Sequence, residues 1–319
     1  MIQAVLRRLL SSCVVLAGII GVLFALIHLP ATDLAPLAPG MTPEDRDRVR
    51  SEYRQAFGLD RPIVDRFLAW SGDLLTGDLG YSQADGRQVA DKLKTALGPT
   101  LLLQGSAILL MFAMGVPLGV LCAARHGRWL DRLLFTVLTA AWSIPGFWLG
   151  TLLLLFLCTD AGFSLFPAGG WPGPDEGTLA NYLKHMALPV AVLALPGVCV
   201  ITRHVRASMC AALGSDYIRF ARSLGVGDGV ILRRHALRNS LLPVVTIFGG
   251  LLPSLLGGSI IVERIFDIQG MGHLLWESAA ARDHTVLQAV FFFSVVATLV
   301  GYLISDVAAL LLNPRTRVA

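Results

Sequence analysis

The sequence has little charge. Only 15% of its 319 residues are Asp, Glu, Lys or Arg, against about 25% in an ordinary soluble domain. Hydrophobic residues make up 55% of the chain, and a soluble fold of this length cannot bury so many apolar side chains. Only three of the 26 basic residues are lysines, and a net charge of +4 is too small to indicate nucleic-acid binding. The composition therefore excludes a soluble globular protein.

The motifs of several catalytic classes are missing as well. No glycine-rich run is followed by Lys and then Ser or Thr, so the chain has no P-loop for ATP. The seven histidines form no HExxH motif and the five cysteines form no CxxC pair. The glycines of 225–229 lack the pattern of a dinucleotide-binding loop. We therefore expect no catalytic residue, no metal site and no cofactor bound by this chain.

Apolar runs are abundant, and six of them are long enough to cross a membrane as helices, which takes about 20 residues each. They lie near residues 9–29, 100–124, 133–158, 186–202, 241–262 and 285–312. The first is longer than the apolar region of a signal peptide, which is about 7 to 15 residues, so we expect it to stay uncleaved. The sequence predicts an all-α polytopic membrane protein with six transmembrane helices.

Basic residues concentrate in alternate loops. The N-terminus, the loops 125–132 and 203–240, and the tail after 312 together hold 14 basic and three acidic residues. The opposite side holds 12 basic and 18 acidic residues. Because positively charged loops stay in the cytoplasm, we predict that both termini are cytoplasmic.

The spans divide the chain into four parts. We expect a first transmembrane helix at 1–30, an extracytoplasmic segment at 31–98, a core of five helices at 99–312 that includes the cytoplasmic loop 203–240, and a cytoplasmic tail at 313–319. In the extracytoplasmic segment, Thr42 and Pro43 predict a helix start, and Gly58 predicts its end. Four apolar residues then share one face of a second helix: Ile63, Phe67, Trp70 and Leu74.

The cytoplasmic loop 203–240 contains a short helix with caps at both ends. Ser215 or Asp216 is predicted to begin it, and Gly225 to end it in the left-handed conformation. Apolar and small residues share one face between two arginines, an arrangement typical of a docking surface for another protein. An amphipathic helix on anionic lipid is the alternative. The docking residues are Asp216, Tyr217, Arg219, Phe220, Ala221, Arg222, Leu224 and Gly225.

Proline and glycine concentrate in spans three to five, where they favour kinks and close packing around a pathway. Ordinary membrane helices also tolerate both residues, so ordinary helix composition is the alternative. Asp306 is the one ionisable residue well inside a predicted span, which makes it either a functional group or a partner of a nearby arginine. The candidate pathway or kink positions are Ser143, Pro145, Pro189, Pro196, Pro243, Pro253 and Gly257.

Motifs along nearly the whole chain resemble one transporter family. In the loop, Arg219-Phe220-Ala221 stands where the family's Glu-Ala-Ala motif stands, ahead of Gly225. Leu242-Pro243 lies farther from that glycine than in the general pattern, and the Glu is absent, as is usual in one branch of the family. Other matching segments are 58–62, 77–82, 117–119, 203–208, 235–239, 263–266, 270–272, 282–283 and 313–315. Residues 30–33, Gln269 and Asn313 depart from the common motifs.

The chain resembles the permeases of ATP-binding cassette (ABC) importers in the branch that imports dipeptides, oligopeptides and nickel, and specifically their B-type subunit. The resemblance implies a multi-pass bacterial inner-membrane subunit, surrounded by lipid, without enzymatic activity. It also implies a second homologous permease, an extracytoplasmic solute-binding protein, and two cytoplasmic ATPases that hold ATP and Mg. The alternative is a secondary transporter or channel driven by an ion gradient, with Asp306 as the group it would depend on. Dipeptides, oligopeptides, glutathione-like molecules, nickel and metal chelates remain open as cargo.

Overall fold

The computed structural model describes residues 2–28, 40–56, 61–159, 162–172, 178–241 and 259–312, together with 244, 247, 250, 251 and 255. In these parts of the chain the only β feature is a single bridge between Tyr81 and Gln88. Everything else with regular structure is helical, as the sequence predicts.

The helices follow one another in chain order. The first four are α1 Ile2–His28, α2 Pro43–Ala56, α3 Ile63–Thr76 and α4 Val89–Ala124. The next four are α5 Trp129–Trp142, α6 Gly146–Leu157, α7 Leu179–Leu213 and α8 Asp216–Ser223. A short α9, Asp228–Val230, continues into the π-helical segment Ile231–Ala236 and α10, Leu237–Ser240. The last are α11 Ile260–Ile265, α12 Met271–Ala280 and α13 His284–Leu312.

Three described helices are long and apolar enough to cross a membrane: α4, α7 and residues His284–Ile304 of α13. The pair α5 and α6 makes a fourth if it counts as one span. In α1 the side chains that the structure describes, Leu10–Ala25, form an apolar stretch but cover only part of the predicted first span. Most of the predicted fifth span lies outside the described residues. The described residues thus confirm a helical chain with three or four candidate spans, while six spans and their orientation stay predictions.

The chain bends by 93° between α5 and α6. The Ser143 amide still donates to the carbonyls of Thr139 and Ala140, at 3.2 and 3.1 Å, so α5 closes with its backbone satisfied. Pro145 has no amide hydrogen to continue the ladder, and its extended backbone (ψ 128°) starts α6 in a new direction. The bend therefore lies at the Ser-Ile-Pro-Gly segment that the sequence singles out.

Helix α7 runs through both of its prolines, Pro189 and Pro196, without a break. It begins at Thr178, whose hydroxyl accepts from the Asn181 amide at 3.3 Å, a standard N-cap. It ends at Leu213, so the first part of the predicted cytoplasmic loop 203–240 is helical and continues α7. The residues after 202 include Ala207, Ala211 and Ala212, which favour helix strongly enough to carry α7 beyond the apolar span.

The chain divides into two compact units. One contains Ile2–Lys94 and Glu277–Val296. In this unit Thr42 caps α2, with its hydroxyl accepting from the Asp45 amide at 3.2 Å, as predicted. The apolar face of α3 packs on α1: the ring of Phe24 lies 5.2 Å from that of Phe67 and 5.8 Å from that of Trp70. Gly58, the predicted end of α2, lies outside the described residues.

The other unit contains Thr95–Trp276 and Ala297–Ala319, and its core forms around α4, α6, α7 and α11. Glycines bring α4 and α7 together. A Cβ added at Gly115 would lie 2.8 Å from the Ile201 side chain, and one at Gly119 would lie 2.6 Å from that of Val205. The Thr202 hydroxyl also donates to the Gly115 carbonyl at 3.2 Å. Small residues four apart allow this close approach of two membrane helices.

Candidate functional site

The candidate docking helix is α8, which follows α7 after a two-residue link. The Ser215 carbonyl accepts from the amides of Ile218 and Arg219, both at 3.2 Å. The Ser215 hydroxyl instead donates back to the Ala212 carbonyl, so no side chain caps α8. The start of the helix is where the sequence predicts it, but the predicted side-chain cap is absent because that hydroxyl bonds the end of α7.

Gly225 ends α8 in the left-handed conformation, as predicted. Its φ is +80°, and its amide donates to the Arg222 carbonyl at 3.0 Å. The Val226 amide reaches back to the Ala221 carbonyl at 3.2 Å, which closes the last turn as in a Schellman motif. A residue with a Cβ is strained at this φ.

One face of α8 presents apolar side chains to solvent. Tyr217 is 43% exposed, Phe220 65% and Leu224 67%, and Ala221 between them is half-buried. On the opposite side Ile218 is fully buried, where α8 packs on the π-helical segment Ile231–Ala236. The helix is therefore anchored by one apolar face and leaves another uncovered, which is the arrangement of an interaction surface.

Charged residues border this face. Arg219 pairs with Asp216 at 3.2 Å, and Arg222 with Asp228 at 3.4 Å. All four side chains are at least half-exposed, so these pairs contribute little to stability. They remain available for contacts with a partner.

A largely buried ion pair connects α5 to α7, ahead of the docking helix. Asp131, at the start of α5, is 1% exposed. Arg206 donates to it from Nε at 2.7 Å and from Nη2 at 2.8 Å, and the Gly127 amide donates at 3.0 Å. The guanidinium also lies over the Phe135 ring, 5.5 Å from its centroid. This pair joins the α4–α5 loop to the end of α7.

The candidate pathway positions fall into two groups. Ser143 and Pro145 lie at the bend, and Pro189 and Pro196 lie in α7. A Cβ at Gly146 would lie 3.8 Å from the Val192 side chain, so the bend faces the part of α7 between its two prolines. The remaining candidates, Pro243, Pro253 and Gly257, lie outside the described residues.

A second buried carboxylate organises the segment after the fifth predicted span. Glu263 has no exposed surface. It accepts from the Ser259 amide and the Thr100 hydroxyl, both at 3.1 Å, and from the His273 amide at 3.0 Å. Thr100 in turn accepts from the Met271 amide at 2.8 Å. Thr100 of α4, Glu263 and the preceding cap of α11, and the first turn of α12 thus share one hydrogen-bonded centre.

Polar side chains also fix the segment before α4. Lys92 donates to Asp85 at 2.9 Å and to Ser82 at 3.1 Å, and Arg87 donates to Asp85 at 3.0 Å. The hydrogen bond from Lys92 contributes most to holding the pKa of Asp85 well below its ordinary value, and the contacts with Ser82 and Arg87 add to it. Ser82 also donates to Asp283, whose other oxygen accepts from the Val286 amide at 3.2 Å. The turn 80–87 is therefore tied to the first turn of α13.

Sequence reasoning missed the residues that support the docking helix. Nothing in the sequence shows that Ile218 is buried while the apolar residues beside it are exposed. In the sequence Asp131 and Arg206 appear only as charges of two loops, and the one sign that they pair is that Asp131 is the single acid in the basic loop 125–132. In the described part of the chain, no three His, Cys, Asp or Glu side chains lie close enough together to hold a metal ion. The described cysteines are free thiols.

Comparisons with known proteins agree with this architecture. The chain is 35% identical over 313 residues to the oligopeptide transport system permease protein AppB of Bacillus subtilis (strain 168), covering 98% of both chains. It is 34% identical over 318 residues to the glutathione transport system permease protein GsiC of Escherichia coli (strain K12), covering 99% of both. Inward-facing conformations of the MetNI methionine ABC transporter share the fold, with a TM-score of 0.56 at 19% identity over 70% of this chain and 96% of that one.

The family model for the binding-protein-dependent transport system inner membrane component matches residues 115–318. That match begins within α4 and includes the bend, α7, the docking helix and Glu263. Together with relatives above 30% identity over nearly the whole chain, it shows that this protein is an inner-membrane transport protein that belongs to the binding-protein-dependent transport system inner membrane component family.

Proposed function

We propose that the chain is the transmembrane permease subunit of an ABC importer and forms half of the translocation pathway for small peptides. A solute-binding protein delivers the peptide, and a second homologous permease supplies the other half of the pathway. The family match and the two full-length relatives support this assignment. The subunit itself is not catalytic.

The observation that carries the proposal is the uncovered face of α8. Two aromatic side chains and a leucine are exposed on a helix whose opposite face is buried. Large apolar and aromatic anchors with arginines at their border dominate the energy of protein interfaces. We infer that a cytoplasmic ATPase covers this face and moves α8 when it hydrolyses ATP.

Energy and cargo come from separate subunits in this proposal. Two cytoplasmic ATPases bind ATP and Mg, because the chain has no phosphate-binding loop of its own. The solute-binding protein meets the acidic side of the membrane protein, at 31–98 and 263–284. Bent and broken helices then give alternating access to a central pathway.

Peptides are the cargo we propose, because the relatives are named for oligopeptide and for glutathione, itself a tripeptide. Nickel and metal chelates are the other cargo that the sequence allows. The relatives are named for neither of them.

Docking is tested with Phe220→Asp, which places a charge in the centre of the exposed face. We expect the ATPase subunits to be lost from the purified complex while the permease still inserts in the membrane, because desolvating an unpaired carboxylate opposes binding. The matched control is Phe163→Asp, the same change at another exposed phenylalanine, 71% exposed. Copurification of the ATPases at the native level with Phe220→Asp would contradict the proposal.

The energy source is tested in proteoliposomes that contain the whole complex. We expect uptake of radiolabelled glutathione or trialanine to need ATP and the solute-binding protein, and to be unchanged in Asp306→Asn. Uptake driven by an ion gradient without ATP, and abolished by Asp306→Asn, would favour the secondary transporter. The Asp306 side chain lies outside the described residues.

A further inference from the structure

The ion pair between Asp131 and Arg206 holds α5 and α7 in a fixed orientation through two hydrogen bonds. Both nitrogens that Arg206 directs at Asp131 lie within 2.8 Å of a carboxylate oxygen. Two parallel hydrogen bonds fix the plane of the guanidinium relative to the plane of the carboxylate. The Gly127 amide holds the same carboxylate from the loop before α5. The Asp131 side chain is 2% exposed and that of Arg206 25%, so the pair is little screened by solvent.

Further contacts join the same three helices farther along. Gly115 and Gly119 bring α4 against Ile201 and Val205 of α7. The Cys199 thiol of α7 donates to the Leu138 carbonyl of α5 at 3.1 Å. The ion pair thus closes the end of an interface between α4, α5 and α7 that is already tightly packed.

The position of the pair along α7 matters for the docking helix. From Arg206, α7 continues for about 10 Å, at 1.5 Å per residue, to its end at Leu213. Only Gly214 and Ser215 then separate it from α8, and the Ser215 hydroxyl and amide both bond the Ala212 carbonyl. A displacement of α8 therefore acts on the last turns of α7, beside the ion pair.

We propose that Asp131 and Arg206 are positioning residues whose ion pair makes α5 move together with α7 when the ATPase displaces α8. This inference rests on the proposed function, since it needs α8 to be the docking element. Without the pair, the end of α7 is free to shift against the α4–α5 loop. A displacement of α8 then moves the end of α7 without moving α5. With the pair in place, α5 carries the movement as far as the bend at Ser143–Pro145, where the chain turns into α6.

The test uses the whole complex with its ATPases and solute-binding protein in proteoliposomes. The variants are Asp131→Asn and Arg206→Gln. The control is Arg203→Gln, which removes an arginine one turn earlier that also lies over Phe135, at 5.9 Å. The measured quantity is trialanine taken up per ATP hydrolysed, with the amount of copurified ATPase recorded for each variant.

We expect both pair variants to keep the ATPases bound and to lower uptake per ATP by at least about fivefold, the lower end of typical coupling between sites. Arg203→Gln should leave the ratio within about twofold of the native complex, below that threshold. A native ratio in the pair variants overturns the inference. So does a fall of uptake and hydrolysis in equal proportion, which a merely structural role produces.

A second measurement does not depend on how the variants fold. Nitroxide labels at Arg132→Cys on α5 and Ala207→Cys on α7, in a chain whose native cysteines are replaced, report the distance between the two helices. We expect this distance to change by less than about 2 Å between the ATP-free and ATP-bound complex, the scale of helix shifts within a packed interface. A larger change overturns the inference even where α8 docks and ATP drives uptake, so the two proposals fail separately.

Discussion

Both oxygens of the Glu263 carboxylate accept hydrogen bonds, from two backbone amides and a hydroxyl. In Glu263→Gln the amide nitrogen must face one of these donors. We expect a loss of about 1 to 3 kcal/mol for the unpaired buried groups, seen as a lower melting temperature of the purified protein. Asp267→Asn makes the same change at an exposed acid in the same segment and should leave the melting temperature unchanged. Equal melting temperatures for the two variants would contradict this account.

The Asp85 carboxylate gives a pH dependence with a definite sign. Its pKa is lowered in the folded protein, chiefly by the hydrogen bond from Lys92, so the unfolded chain binds the proton more readily. The stabilisation is fully present above the ordinary pKa of 3.8 and is lost as the pH falls below it towards the folded pKa.

We therefore expect Asp85→Asn to be less stable than the native protein at neutral pH, and the difference to shrink below about pH 4. Melting temperatures of the two proteins across an acid series measure it. The control measures Asp85→Asn in a Lys92→Met background. Because Lys92 is then absent, Asp85→Asn should lower the stability less than it does in the native protein. A difference that stays constant from neutral to acid pH would rule this interpretation out.

At the scale of elements, the contact between α4 and α7 depends on the absence of side chains. A methyl group at Gly119 would lie 2.6 Å from the Val205 Cβ, which is too close for either helix to accommodate without moving. We expect Gly119→Ala to cost about 1 to 3 kcal/mol of stability. Gly105→Ala, on the same helix, is the matched control, since its nearest neighbour would be 4.0 Å away; it should be neutral or slightly stabilising. Thermal unfolding in detergent compares them.

Local signals in the sequence predicted local structure well. Thr42 and Pro43 begin α2, Gly225 ends α8, and the bend falls at Pro145. Each depends on the chemistry of one or two residues, such as a hydroxyl acceptor, a missing Cβ or a missing amide hydrogen.

Partners distant in sequence were not predictable in the same way. Asp131 and Arg206 lie 75 residues apart, and Thr100 and Glu263 lie 163 apart. Periodicity assigns a residue to a helix face but does not say which other helix that face meets. The length of α7 was missed for a related reason, because a hydropathy window ends where charge begins, although the helix itself continues into water.

At the scale of the whole molecule, the open question is whether the bent pair of helices crosses the membrane, and the charge asymmetry bears on it. The pair α5 and α6 either crosses the membrane as one broken span or turns back as a re-entrant loop. Between α2 and α8 lie α4, this pair and α7. If the pair crosses, three crossings place α2 and α8 on opposite sides; if it turns back, two crossings place them on the same side.

Basic residues favour the first arrangement, with α8 in the cytoplasm. In a chain with its native cysteines replaced, Ser51→Cys on α2 and Ser223→Cys on α8 are matched probes, since both serines are exposed and helical. We expect a membrane-impermeant maleimide to label Ser51→Cys in intact spheroplasts and Ser223→Cys only in inverted vesicles. Labelling of both from the same side would mean that the bent pair does not cross, and the reverse pattern would place the docking helix outside, where no ATPase can reach it.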